Sequence, residues 1–158
     1  MTPDIPRPVL KGKKALVIGV ANDSSIAYGC AKAFRELGTD VAITYLNDKA
    51  KPHVEPLARE LEASLFLPLD VAVPGALERV FEEVAAKWGK LDILVHSIAF
   101  APKEDLQGGL LNCSAEGFAK AMDVSCHSFV RMAKLAAPLM KDGGTMFAMS
   151  YHGAAKVV

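Results

Sequence analysis

Two hydrophobic periods take turns along the chain. Residues 14–20 are almost continuously apolar and read as a buried strand, after which Ile26, Cys30, Ala33, Phe34 and Leu37 recur at helical spacing until Gly38, which is placed to close that helix. Residues 40–45 form a second short strand. Val54, Leu57, Ala58 and Leu61 mark a second helix, and residues 65–69 make a third strand ending at Asp70. Leu77, Val80, Phe81, Val84 and Trp88 follow the i, i+3, i+4, i+7, i+11 stripe of an amphipathic helix. A fourth strand follows at 91–95, apolar apart from Asp92. Helical spacing returns at 118–122 and again at 128–140, with Pro138 near its end, and residues 145–149 are a fifth strand.

Strands that are apolar on both faces belong between two helical layers. Strands alternating with helices predict an α/β fold: a Rossmann-like doubly wound parallel sheet with right-handed crossovers, in the order 3-2-1-4-5, formed by a single domain over residues 1–158. Ligands of such sheets sit beyond the carboxyl ends of the strands, so the loops after Gly19, Tyr45, Asp70, Val95 and Met149 share one rim. The sequence stops soon after the fifth strand, and the expectation is a sheet truncated there, with an uncovered edge. Helix 128–140 is apolar over more than one face. Surface left wet there would cost roughly 25 cal/mol per Å², which predicts a helix-on-helix subunit interface and hence a homo-oligomer, dimer or tetramer.

Composition narrows the partners. With 51% hydrophobic and 23% charged residues the chain is an ordinary globular one, and 18 basic residues balance 18 acidic ones, so no global field draws it to nucleic acid or to an anionic membrane. No stretch reaches the roughly 20 apolar residues that span a bilayer. Residues 1–8 carry three prolines and no apolar leader core, so no export is expected. Cys30, Cys113 and Cys126 are odd in number and far apart, which fits reduced thiols in the cytoplasm, and the histidines lack metal-ligand spacing, so no metal is expected.

The segment Val17-Ile18-Gly19-Val20-Ala21-Asn22-Asp23-Ser24-Ser25-Ile26-Ala27-Tyr28-Gly29 carries the strongest chemical signal. A strand stops at a glycine, crosses a small polar loop and enters a helix whose first N–H groups and positive dipole end suit a pyrophosphate. Gly19 lets the backbone come close, and Ser24 and Ser25 can donate hydroxyls. The G-x-G-x-x-G fingerprint is absent; the pattern is Gly, five residues, then Ser-x-Ala-x-Gly. A plain strand-to-helix turn with a serine N-cap has the same look.

Other rim residues fit a dinucleotide. Tyr45-Leu46-Asn47-Asp48 stands where an acid binds the adenine ribose or an arginine accepts a 2′-phosphate; with no arginine there, NAD(H) is preferred over NADP(H), although Lys49 and Lys51 keep the phosphate reading open. Asp70 could accept from an adenine amino group with Val71 packed on the ring, or serve as a turn aspartate before Pro74. The small residues of His96-Ser97-Ile98-Ala99-Phe100-Ala101-Pro102 would let backbone press against a ribose and nicotinamide, with His96 itself read as a hydrogen-bonded structural histidine rather than a catalytic one. Tyr151 could hydrogen-bond a polarised carbonyl, or be a tyrosine at the edge of the core.

In these motifs, together with Ser150-Tyr151-His152-Gly153-Ala154, the chain resembles the bacterial NADH-dependent enoyl-acyl carrier protein reductases, a divergent branch of the short-chain dehydrogenase/reductases. The resemblance implies an oxidoreductase of fatty acid biosynthesis that passes hydride from NADH to the β-carbon of a trans-2-enoyl thioester on acyl carrier protein. It also implies that Gly19, Ser25 and Ile26 hold the pyrophosphate and nearby cofactor groups, Asp70 and Val71 the adenine, and Ser97, Ile98 and Ala99 the ribose and nicotinamide. Tyr151 matches the first of the family's two site tyrosines, near the substrate. The family's principal tyrosine and its cofactor-binding lysine fall beyond the last residue, so the sequence as it stands is expected to have little or no turnover. The alternatives are a non-catalytic nucleotide-binding module, a structural protein built from a decayed reductase, or a short-chain reductase of ketoacyl or sterol substrates, which would carry an Asn-rich motif after the fourth strand.

Overall fold

The structure, a computed structural model, describes residues 9–157, so the proline-bearing residues 1–8 lie outside it. Strands β1 (Lys14–Ile18), β2 (Asp40–Tyr45), β3 (Leu65–Pro68), β4 (Ile93–His96) and β5 (Thr145–Ala148) form one five-stranded sheet in the order β3-β2-β1-β4-β5, the expected topology. All four pairings are parallel. The strand order reverses direction at β1, whose Val17 pairs with Ile43 on one side and Val95 on the other.

The pleat sends alternate residues to opposite helical layers. Ala15, Val17, Val41, Ile43, Ile93 and Val95 pack under α1 (Ile26–Glu36) and α2 (Lys51–Glu60). Leu16, Ile18, Ala42 and Leu94 pack under α3 (Ala76–Trp88) and the helix that precedes β5. The stripe on α3 faces the core as predicted, with Leu77, Val80, Phe81 and Val84 buried. The stripe on α1 does so only in part, through Phe34, which is half-buried against the core. Its buried residues are Ala27, Tyr28 and Ala31, while Ile26 is 65% exposed and Ala33 is exposed. Small residues at 27 and 31 let α1 lie close against the sheet, and that close packing outranks the face traced by the larger apolar side chains.

Between β4 and β5 a short helix α4 (Lys103–Leu106) and a 3₁₀ turn (Leu110–Asn112) lead into one nearly continuous helical rod. The rod comprises α5 (Ala115–Met122), a π-helical segment (Asp123–His127), α6 (Ser128–Ala136) and a 3₁₀ turn (Ala137–Leu139) containing Pro138. Helix α5 starts three residues before the predicted 118 because the Ser114 side chain accepts a hydrogen bond from the Gly117 N–H at 3.0 Å. Helix α6 buries Met132 and Ala136 against the sheet and leaves Val130 exposed.

The amino-terminal edge of the sheet is pinned by Asp92. Its carboxylate accepts from the Lys14 N–H (2.9 Å) and the Lys13 ammonium (3.0 Å), and Lys90 lies 3.3 Å away. Burial pushes this carboxyl up, but the hydrogen bonds from Lys13, the Lys14 N–H and Lys90 outweigh it and hold it below the usual carboxylate range. The one polar residue predicted in the fourth strand is therefore the clasp that joins the start of β1 to the start of β4.

Candidate functional site

The carboxyl ends of the strands carry the polar and glycine residues singled out from the sequence. At the end of β1 the chain turns through Gly19 with φ +105°, and a Cβ there would stand 2.0 Å from the carbonyl oxygen of Ser97 and 2.7 Å from its carbon. Only glycine fits. The Ser97 N–H donates to the Ile18 carbonyl at 3.0 Å, so the two strand ends are drawn together where the order of the sheet reverses.

The loop from Gly19 to α1 is organised by its own side chains. Asn22 Oδ1 accepts from the Ser24 N–H (3.0 Å), the Ser24 hydroxyl donates to Asp23 (3.1 Å), and the Ser25 hydroxyl donates to the Asn22 carbonyl (2.6 Å). Ser25 holds the N-cap position, yet its side chain makes no bond to the first turn of α1, and that turn has no acidic residue. The helix therefore presents its first N–H groups and positive dipole end uncompensated beside Gly19. Both serine hydroxyls are engaged within the loop, which leaves backbone N–H groups as the anion donors here. Ile26 stands exposed at the same end.

A cleft of about 280 Å³ opens alongside, lined by Leu46, Leu69, Asp70, Val71, Ala72, Ile98, Ala99, Phe100, Lys120 and Val124. Its walls are the loops after β2, β3 and β4 and one side of the long helical rod. Of the predicted residues it brings together Asp70, Val71, Ile98 and Ala99; Gly19 and Ser97 meet beside it, and Ser25 and Ile26 stand at the helix end. Asp70 Oδ1 accepts from the Ala72 N–H (2.9 Å), the turn role foreseen for it, and Oδ2 has no partner among the described residues. Tyr151 does not join the cleft: it lies beyond β5, 72% exposed, with its ring against Gly153.

His96 is structural, as read from the sequence. It is buried at the end of β4, its ring 5.4 Å from that of Phe129, and Nε2 lies 2.7 Å from the Ser128 hydroxyl. That hydroxyl donates to the Val124 carbonyl (2.7 Å), so Nε2 carries the proton and Ser128 accepts it. Burial pushes the imidazole below its ordinary value, which keeps it neutral at physiological pH. A neutral, fully enclosed ring is poorly placed to trade protons with a ligand.

The π-helical segment supplies residues that the sequence pattern did not single out. Val124 faces the cleft, and the Ser125 hydroxyl both accepts from the Phe100 N–H (3.0 Å) and donates to the Phe100 carbonyl (3.1 Å), fixing the loop after β4 at both ends of one residue. Lys120 holds its ammonium 5.2 Å from the Phe100 ring centre. The extra residue in this turn shifts the helical register so that Val124, Ser125 and Ser128 all face the strand ends. Among the described residues no three His, Cys, Asp or Glu side chains converge to hold a metal ion, and no helix is long and apolar enough to cross a membrane.

The sequence model of the family described as "Enoyl-(Acyl carrier protein) reductase" matches residues 19–158. The chain belongs to this enoyl-acyl carrier protein reductase family. It is 43% identical over 150 residues to enoyl-[acyl-carrier-protein] reductase [NADH] 1 of Rhizobium meliloti, covering 95% of this chain and 55% of that protein. Its fold matches an enoyl-acyl carrier protein reductase of Anaplasma phagocytophilum solved in complex with NAD, at a TM-score of 0.90 and 42% identity over 98% of this chain and 58% of that one. It matches equally the NADH enzyme of Aquifex aeolicus, at a TM-score of 0.89 and 42% identity, covering 94% and 60%. The chain thus spans little more than half the length of these family members.

Proposed function

We propose that residues 1–158 form a single dinucleotide-binding domain of an NADH-dependent enoyl-acyl carrier protein reductase of fatty acid biosynthesis, an oxidoreductase acting on trans-2-enoyl thioesters. The observation that carries this reading is the contact of Gly19 with the Ser97 carbonyl, beside an uncapped helix end that leads into the cleft lined by Asp70, Val71, Ile98 and Ala99. A diphosphate needs close backbone and unpaired N–H groups, and a nucleoside needs a narrow, largely apolar slot with a few polar anchors. Both kinds of surface stand side by side on one rim. The Rhizobium and Aquifex relatives are named as NADH enzymes and the Anaplasma relative was solved with NAD, which supports NAD over NADP as the cofactor.

Each residue has a role in this proposal. Gly19 and the backbone at Ser25 and Ile26 receive the pyrophosphate, with exposed Ile26 covered by the bound dinucleotide. Asp70 Oδ2 accepts from the adenine amino group while Val71 packs on the ring. Ser97, Ile98 and Ala99 hold the ribose and nicotinamide, on a loop kept in place by Ser125. Tyr151 lies on the substrate side and acts there as a hydrogen-bond donor to the thioester carbonyl. When bound, the dinucleotide supplies the hydride. Neutral His96 orders the helical rod against β4 rather than handling protons. The protein is cytoplasmic and assembles as a dimer or tetramer through the exposed apolar side of α6, with acyl carrier protein as its partner and neither nucleic acid nor membrane involved. The test is NADH oxidation at 340 nm with crotonyl thioester by the protein expressed from its complete coding sequence. Turnover with crotonyl but not ketoacyl thioester is expected; NADH binding without any reduction would instead make it a nucleotide-binding module.

A further inference from the structure

The cleft wall after β3 is held by a residue far from it in sequence. Arg131, on α6, sends Nη2 back 60 residues to donate to the Val71 carbonyl at 3.1 Å. The same peptide group is held at its other end, because the Ala72 N–H donates to Asp70 Oδ1 at 2.9 Å. One planar unit, Val71 C=O to Ala72 N–H, is thus clamped between a guanidinium and a carboxylate, and each bond polarises the peptide toward the other. Asp123 of the π-helical segment, 3.6 Å from the guanidinium, steadies the arginine.

We infer that Arg131 is a positioning residue for the adenine end of the dinucleotide site. This rests on the dinucleotide reading above. With the arginine gone the peptide is free to rotate, and rotation takes the N–H away from Asp70, releases the carboxylate and re-aims Val71. Both side chains line the cleft, so the pocket loses its shape and its acceptor together. Stability alone does not account for an arginine here. Its Nε is buried with no hydrogen-bond partner, and an unpaired buried donor is a net cost to the fold. Ile98 and Ala99 line the same cleft, but neither hydrogen bond of the clamp is made to the loop after β4, so the effect is concentrated at the adenine end.

That separation gives the test. NADH is titrated into the protein from its complete coding sequence, with ADP and reduced nicotinamide mononucleotide as competing half-molecules, for the unsubstituted protein and for Arg131→Met. About tenfold weaker NADH and ADP binding is expected, the scale of one charge-assisted hydrogen bond, with reduced nicotinamide mononucleotide unchanged within twofold. Equal NADH affinity in the two proteins overturns the inference and leaves the cofactor reading intact. Parallel loss of all three ligands also overturns it, since that is general loosening. If the unsubstituted protein takes up no dinucleotide, the cofactor reading falls and this inference with it. Should Arg131→Met not fold, Arg131→Lys carries the same comparison, with about threefold losses of NADH and ADP expected and the same outcomes decisive.

Discussion

Replacing Gly19 by alanine tests whether the first strand end is built around a close backbone approach. Two penalties coincide at this position. Holding a side-chain-bearing residue at φ +105° costs about 1–2 kcal/mol, and forcing a Cβ to within 2.0 Å of the Ser97 oxygen makes backbone move, an overpacking cost of about 1–3 kcal/mol. Gly89, the C-cap of α3, is the control: its φ is +67°, but a Cβ there meets no atom within 4 Å, so Gly89→Ala carries the first penalty without the second. Gly19→Ala should therefore lose about 2–5 kcal/mol and Gly89→Ala about 1–2 kcal/mol. For a chain of this size each kcal/mol moves Tm by about 2–4 °C, so the two variants should separate by roughly 2–12 °C in thermal unfolding followed by circular dichroism. Urea midpoints give the same ordering independently. Equal losses for the two variants would refute the claim that the Ser97 carbonyl occupies the space a side chain needs.

Three further outcomes follow from contacts described above. Asp92→Asn, which keeps the shape of the side chain but removes the charge that Lys13, Lys14 and Lys90 serve, should lose about 1.5–3 kcal/mol at neutral pH. Because the folded carboxyl is held below its unfolded value of about 3.9, that contribution is complete above this pH and fades as pH falls through the folded value, so the wild-type and Asn curves should converge in acid. His96 is also depressed in the fold, by burial, so below its unfolded value of about 6.5 protons bind the unfolded chain preferentially and stability falls on acidification; His96→Gln should flatten the stability curve just below about pH 6.5. Ser125→Ala frees both backbone groups of Phe100, and its amide should exchange with solvent at least several-fold faster while amides in β1 are unaffected.

The architecture was legible because a parallel sheet buried on both faces writes its strands as short apolar runs, and β1 to β5 all fall within two or three residues of the expected ends. The differences have local causes. The first strand ends at Ile18 rather than residue 20 because Gly19 turns out of the sheet, and the helix before β5 stops at Ala136 because Pro138 cannot continue it. The face of α1 was legible only in part: Phe34 packs against the core, but Ile26 does not, because close packing prefers Ala27 and Ala31 to bulkier neighbours, a preference that hydrophobicity does not record. The site divides in the same way. Gly19 and Ser97 stood out by motif, and Asp70 by its place at a strand end. Ser125 and Arg131 did not, since their work depends on one extra residue in a helical turn, and Asp-Val-Ser-Cys-His carries no periodic signature of that insertion. Tyr151, at the carboxyl end of β5, is exposed and does not line the cleft.

Calorimetric titration of NADH into the protein from its complete coding sequence bears most directly on the rim as a dinucleotide site. One NADH taken up per chain, with uptake weakened by Gly19→Ala, is the predicted result. Absence of any heat of binding with both NADH and NADPH, from a folded protein, would contradict it.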